Sequence, residues 1–128
     1  MIVSLHVATG AAMGTLVRSR SLALLLGPAL HMAGDQVPHQ DIPDRSFEIG
    51  SGLVALGLLG ARRGPLDPAV LGGAAAAAPD LEHLVPWLRV GGQKLFHRGG
   101  GRHGVGISVE TQLLLAGTVV GLLLARRR

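Results

Sequence analysis

The 128-residue chain has no cysteine and almost no aromatic residues. Without cysteine, neither a disulfide nor a thiolate metal site can form, so any metal must be bound by histidine, aspartate or glutamate. Aromatic residues make up 2% of the chain, and none of Phe47, Trp87 and Phe96 lies in the interior of an apolar run. Because a soluble core of this size usually contains several aromatic side chains, the sequence indicates another kind of packing.

Charged residues are also scarce, at 16%, whereas hydrophobic residues make up 48% and glycine occurs 20 times. Small residues let helix backbones approach closely, which is typical of packed membrane helices. The net charge of +4 would fit a nucleic-acid partner. Nucleic acid is nevertheless not favoured, because the arginines form short clusters beside apolar runs and the aromatic residues that stack on bases are nearly absent.

Five apolar segments follow one another along the chain, and each predicts a helix. Only the last reaches the ~20 residues that a perpendicular membrane span needs, although polar ends can lengthen the others. We therefore expect an all-α fold, in which residues 1–128 form a single membrane-embedded domain, rather than a soluble all-α protein. The domain would be a small bundle of about five helices with a polar, His/Asp-rich end. The segments are Ile2–Val17, Leu22–Ala33, Phe47–Ala61, Leu66–Ala78 and Val105–Ala125.

The distribution of charge favours the same topology. If five helices cross a membrane, one side carries seven basic residues and one acid, and the other carries five basic and seven acidic residues. The positive-inside rule then predicts an integral membrane protein with a cytoplasmic C-terminus. This topology also places all six histidines on the outer face, although the histidines were not used to count the spans.

The end of the second segment carries the first candidate site, with two histidines and two aspartates within eleven residues. His31 and Asp35 are four residues apart, so a helix presents them on one face. Pro38 ends that helix, after which His39 and Asp41 can fold back toward it. This pattern suits a cation site, whereas the simpler interpretation is a polar helix end with a His–Asp hydrogen bond.

A second cluster follows the fourth segment, in the run Pro79-Asp80-Leu81-Glu82-His83. Asp80 and His83 are three residues apart, so one helical turn would bring them together. A neighbouring carboxylate, Glu82, could orient the histidine. The alternative is an ordinary helix start with Asp80 as its N-cap.

The third cluster is His97-Arg98-Gly99-Gly100-Gly101-Arg102-His103. Its glycines free backbone N–H groups for an anion, and Arg98 and Arg102 could clamp a phosphate. A solvated loop that contacts anionic lipid headgroups remains the alternative. Together with His6 in the first helix, the three clusters supply a set of candidate metal ligands: His6, His31, Asp35, His39, Asp80, His83, His97 and His103.

Nitrogen and oxygen ligands without sulfur suit zinc, manganese or iron, and zinc is the ion we favour. More than four candidate ligands indicate a site for two metals, the usual arrangement for phosphoester hydrolysis. A carboxylate such as Glu82 or Asp41 would take the proton of the attacking water. Arg98 and Arg102 would hold the phosphate of the substrate.

The motifs resemble those of the YdjM-type family of bacterial inner-membrane metal-dependent hydrolases. That family has an N-terminal histidine, a Pro-Asp-x-Asp-His motif and a His-Arg-Gly…Thr-His-Ser motif, which match His6, the run from Pro79 to His83, and His97-Arg98-Gly99 with His103. Glu82 replaces the second aspartate, the last interval is one residue longer, and Arg102 and Gly104 replace Thr and Ser. The run from His31 to Asp35 is also similar to the His-x-x-Gly-Asp helix of zinc phospholipase C and P1-type nucleases, where it supplies zinc ligands.

Both resemblances imply metal-dependent hydrolysis of a phosphoester, and we expect a phosphoester or lipid-like substrate. The resemblance to the YdjM-type family also implies a protein of the bacterial inner membrane, with membrane lipid as its partner. The alternative function is non-catalytic: a small membrane protein that binds a metal or anionic lipid, or that scaffolds a complex. The two differ in one structural requirement. An enzyme needs the three clusters within ligand distance of one another, with an open coordination position, whereas a scaffold needs them only on one surface.

Overall fold

A computed structural model describes residues 1–85, Phe96 and residues 104–126 of the chain. The described residues contain helices and no strand, which confirms the all-α prediction. Five helices of ten residues or more correspond one by one to the five apolar segments. They are α1 (Val3–Val17), α2 (Arg20–Asp35), α3 (Arg45–Arg63), α4 (Pro68–Ala77) and α6 (Val109–Ala125); between α4 and α6 lie a 3₁₀ turn, Ala78–Asp80, and a one-turn helix, α5 (Leu81–Leu84).

Side-chain caps explain where most of these helices begin. The carboxylate of Asp44 accepts from the backbone N–H of Ser46 and Phe47 at the start of α3. Asp67 caps α4 in the same way, followed by a proline at the first helical position, and Ser108 caps α6. Each cap satisfies an N–H group that has no partner within the helix.

Helix α1 is the centre of the bundle and packs against α2, α3, α4 and α6. Its contact with α4 is unusually close, because glycines face each other there. A Cβ atom added to Gly10 would lie 2.3 Å from the carbonyl oxygen of Gly72, and one added to Gly14 would lie 2.0 Å from that of Pro68. Helix α2 approaches α4 in the same manner, since a Cβ on Gly27 would lie 2.5 Å from the Cβ of Ala75. Small residues thus replace aromatic ones as the means of filling this core.

The loop between α2 and α3 is tied to the segment before α6. The backbone of Ile107 donates to the carbonyl of Pro38 over 2.9 Å and accepts from Gln40 over 3.0 Å. Gly106 makes this approach possible, because its φ of +101° and the carbonyl of Pro38 leave no room for a side chain. The fully buried Gln112 joins the two segments by donating to the Gln40 carbonyl over 2.8 Å.

The expected membrane topology is wrong for the helices that the structure describes: none of them is both long and apolar enough to cross a membrane. Helix α1 has 15 residues, or about 22 Å at ~1.5 Å per residue, against a hydrocarbon thickness of ~30 Å. Helix α3 has 19 residues but contains Arg45, Glu48, Arg62 and Arg63. Helix α6 has only 17 residues, since the segment from Gly104 to Ser108 is not helical and the last predicted span loses its first turn. The predicted integral membrane location and orientation are therefore withdrawn.

The glycine contact between α1 and α4 predicts opposite effects of one substitution at two positions. Gly10→Ala should destabilise the protein by about 1–3 kcal/mol, because the new methyl group forces two backbones apart. Gly57→Ala, in α3, meets nothing within 4 Å and should be neutral or stabilising by up to ~1 kcal/mol through helix propensity. Urea unfolding of both variants measures the difference, and equal effects would contradict the close packing described here.

Candidate metal centre

Three separate elements place two histidines and an aspartate at one point. His6 belongs to α1, His31 to α2, and Asp80 to the 3₁₀ turn after α4. Each offers a ligand atom, and these atoms all lie within 4.8 Å of one another. Both histidines are fully buried, and Asp80 is partly exposed. The sequence predicted all three as metal ligands, and the fold brings them together.

The close helix packing explains this convergence. His6 lies one turn after the start of α1 and four residues before Gly10, and His31 lies four residues after Gly27. Residues four apart share a helix face, so both histidines project on the side that contacts α4. A Cβ on Gly10 would lie 2.6 Å from the Cβ of Ala76, which in turn precedes Asp80 by four residues. The three side chains are therefore about one turn from the points at which the backbones come closest.

The Asp35 carboxylate connects both histidines. Its Oδ1 atom lies 3.0 Å from Nε2 of His6, and its Oδ2 atom lies 3.2 Å from Nε2 of His31. The same His31 nitrogen lies 3.8 Å from Oδ1 of Asp80. The predicted i, i+4 pairing of His31 with Asp35 is thus present, and both carboxylates face the ring nitrogen that a metal would use.

A backbone carbonyl orients the His31 ring. Nδ1 of His31 lies 2.7 Å from the carbonyl oxygen of Ala76, an acceptor only, so Nδ1 must carry the proton and donate. In the neutral ring Nε2 then presents its lone pair toward Asp35 and Asp80. Histidines that bind metals usually donate their other N–H to a carbonyl or carboxylate in this way.

His6 is held in its neutral form by burial. Its ring stacks on that of His31, with centroids 3.9 Å apart. Desolvation lowers the pKa of His6 to about 4, and the hydrogen bond that His6 donates to Asp35 only partly offsets this effect. Its Nδ1 atom is buried and has no hydrogen-bond partner among the described residues. A neutral imidazole with an unsatisfied nitrogen is a suitable metal ligand, since metals bind the deprotonated ring.

His39 and Asp41 lie on the other side of Asp35. The fully buried His39 is oriented by its Nδ1, which lies 2.7 Å from the Val37 carbonyl oxygen. Its Nε2 lies 3.4 Å from Oδ1 of Asp41 and 2.8 Å from the nitrogen of Met1, which also donates to Asp35. The predicted folding back of His39 after Pro38 is therefore observed. The Met1 nitrogen lies between His39 and Asp35, which separates His39 from the group of His6, His31 and Asp80.

A cavity of about 320 Å³ reaches this cluster at Asp35 and Asp80, whereas His6 and His31 do not line it. Four carboxylates line it: Asp35, Asp41, Glu48 and Asp80; Arg45 and His83 also border it. Glu48 was not among the residues predicted from the sequence. Partial burial raises its pKa, and the negative charges of Asp80 and Asp41 raise it further. Its only sequence signal was its position one turn into α3, next to the Asp44 cap, which by itself indicates no more than a favourable charge at a helix N-terminus.

The remaining predicted residues are placed differently. Glu82, predicted as a catalytic base, is buried and accepts from the backbone N–H of Phe96 over 3.3 Å. It does not line the cavity, whereas its neighbour His83 does. His97, Arg98, Arg102 and His103 lie outside the described residues, so their roles as ligands and phosphate-binding groups stay predictions.

Comparison of the chain with protein-family models, with curated proteins and with solved structures found no match. The resemblance to the YdjM-type family therefore stays a prediction from the motifs. What supports a function for this cluster is its own geometry.

Burial of His6 predicts a dependence of stability on pH in metal-free protein. Its folded pKa of about 4 lies below the unfolded value of about 6.5, so the unfolded state binds more protons between these values. The free energy of unfolding should therefore have its full value above pH ~6.5 and fall by up to about 3 kcal/mol as the pH drops toward 4. Urea unfolding in the presence of a chelator measures this slope. His6→Gln should lose the part of this pH dependence that titration of His6 causes. An unchanged slope in the variant would show that His6 is not the group responsible.

Proposed function

We propose that this protein is a metal-dependent hydrolase that acts on a phosphoester. The observation that carries the proposal is the convergence of His6, His31 and Asp80 from three elements onto one point. Convergence is part of what an enzyme requires, and it favours a metal site over a scaffold, which would need these groups only on a common surface.

The donor set suits a divalent metal. Two neutral imidazoles and one carboxylate would bind it, a combination found in catalytic zinc sites with three protein ligands. Asp35 accepts from Nε2 of His6 and would orient that ring, whereas its Oδ2 atom, 3.2 Å from Nε2 of His31, could bind the same ion or a second one. The buried Nδ1 of His6 without a hydrogen-bond partner supports the same interpretation, because a buried polar atom is costly unless something satisfies it.

A divalent metal would supply Lewis acidity, which lowers the pKa of water and polarises a phosphoryl oxygen. The protein's own contribution would be to position the substrate and to accept a proton. Asp41 and Glu48 both line the cavity, and either could accept that proton. Asp41 is one of the two bases predicted from the sequence. Glu48 takes the place of the other, Glu82, because the Glu82 carboxylate contacts Phe96 rather than the cavity.

Zinc binding tests the metal centre directly. Asp80→Asn should reduce the affinity for Zn²⁺ by at least ~10- to 100-fold, which is the loss usually seen even for groups that only support a ligand. The matched control is Asp67→Asn, a helix cap that Asn can replace and that pairs with Arg63 outside this cluster. Titration calorimetry measures both affinities, and equal affinities in the two variants would exclude Asp80 as a ligand.

Hydrolysis is then assayed on a panel of phosphomonoesters and phosphodiesters with Zn²⁺ or Mn²⁺ supplied. We expect turnover by the wild type, loss of turnover in Asp80→Asn and its partial recovery at high metal concentration, because occupancy depends on concentration. Tight zinc binding without any turnover would favour the alternative, a non-catalytic metal-binding protein.

A further inference from the structure

The cavity beside the metal centre has an apolar half that the proposed reaction does not use. Val3 and Val7 of α1 line it from one side, and three side chains of α3 line it from the other: Ile49, Leu53 and Leu56. Val3 and Val7 are four residues apart, and the α3 residues follow at intervals of four and three, so each set lies along one helix face. The apolar half is thus a channel between two helices, with the carboxylates at one end.

Gly52 determines how closely the walls of this channel approach. A Cβ atom at this position would lie 2.5 Å from Cγ1 of Val3, so a larger residue would push α3 away from α1. Ile49 and Leu56 lie on either side of it along α3, and both are half-buried. Leu53 is 63% exposed, which places the open side of the channel at this residue.

On the basis of the proposed hydrolase function, we propose that the substrate is a phosphoester with a single linear apolar chain. The phosphate would lie at the metal centre and the chain between α1 and α3. Branched aliphatic side chains on both walls offer contacts to methylene groups and no hydrogen bonds to a sugar. Among the described residues that line the cavity, none is Phe, Tyr or Trp and only His83 carries an aromatic ring. The side chains of the apolar half are aliphatic, so they provide no stacking surface for a nucleobase.

The volume sets the length of chain that fits. A cavity of about 320 Å³ is at the lower end of the ~300–1,000 Å³ typical of small-molecule pockets. The phosphate and the apolar chain share this volume, so the walls enclose only a short chain, of roughly six carbons. Longer chains would extend into solvent beside Leu53, and their additional methylene groups would add no further affinity.

Binding of an alkyl phosphate series to zinc-loaded protein tests this proposal without requiring turnover. The probes are methyl, butyl, hexyl and decyl phosphate, measured by titration calorimetry. Affinity should rise about three- to fourfold for each methylene group, which follows from the free energy of burying one, and should level off near six carbons. Equal affinity for methyl and hexyl phosphate would overturn the proposal.

A pair of matched variants tests where the chain lies. Leu53→Asn should reduce the ratio of the affinities for hexyl and methyl phosphate by about threefold. The double variant with Leu53→Asn and Ile49→Asn should reduce the same ratio by about tenfold. Leu58→Asn is the control, because Leu58 is 50% exposed on the same helix and does not line the cavity. An equal effect of Leu53→Asn and Leu58→Asn would exclude this channel as the site.

Two further probes separate this proposal from the hydrolase function on which it rests. If zinc-dependent binding of methyl phosphate is present but chain length has no effect, the metal centre stands and the chain proposal fails. If hexanol binds and Leu53→Asn weakens it, while no phosphate binds with or without zinc, the channel exists but the phosphoester hydrolase is excluded. Tighter binding of hexylammonium than of hexyl phosphate to the zinc-loaded protein would overturn the phosphoester class.

Discussion

The candidate site depends on one packing constraint, the close approach of α1 and α2 to α4. Gly10 and Gly27 each lie against α4 where a methyl group would not fit, and His6 and His31 lie one turn away from them on the same faces. Larger residues at these glycines would force the helices apart, and the ligand atoms of the two histidines and Asp80 would move away from one another. The glycines at these contacts therefore help to set the positions of the ligand atoms. Metal–ligand bonds of ~2 Å allow little displacement of those atoms.

Burial by these same contacts sets the electrostatics of the cluster. His6 is neutral because desolvation lowers its pKa, and His31 presents Nε2 because its Nδ1 donates to a backbone carbonyl. Asp35 is buried at the end of α2 and contacts both rings. An unpaired carboxylate at such a position would be costly. A divalent cation would offset the remaining negative charge of the cavity, which four carboxylates line. The stacked histidines, the shared aspartate and the acidic cavity thus favour the same kind of ligand.

Local patterns predicted much of this arrangement. The five apolar segments gave the five long helices, and the spacing of His31 and Asp35 predicted their shared face. Other features depend on tertiary contacts that no local pattern contains. Glu48 reaches the site only because α3 packs against α1, and Glu82 turns away from the cavity although its neighbour His83 borders it. The last predicted span was too long because hydropathy does not show where a helix begins. Positive φ angles at Gly104 and Gly106 and the pairing of Ile107 with the α2–α3 loop keep the preceding segment non-helical, so α6 begins only at Val109.

The central claim is that His6, His31 and Asp80 bind one divalent ion. Anomalous diffraction from crystals grown with Zn²⁺, recorded on both sides of the zinc absorption edge, tests it most directly. The account predicts a peak between these three side chains, at ~2.0–2.2 Å from a nitrogen of each histidine and an oxygen of the aspartate. A zinc-loaded protein whose peak lies elsewhere, with His6 and His31 still stacked and bound only to Asp35, would contradict it.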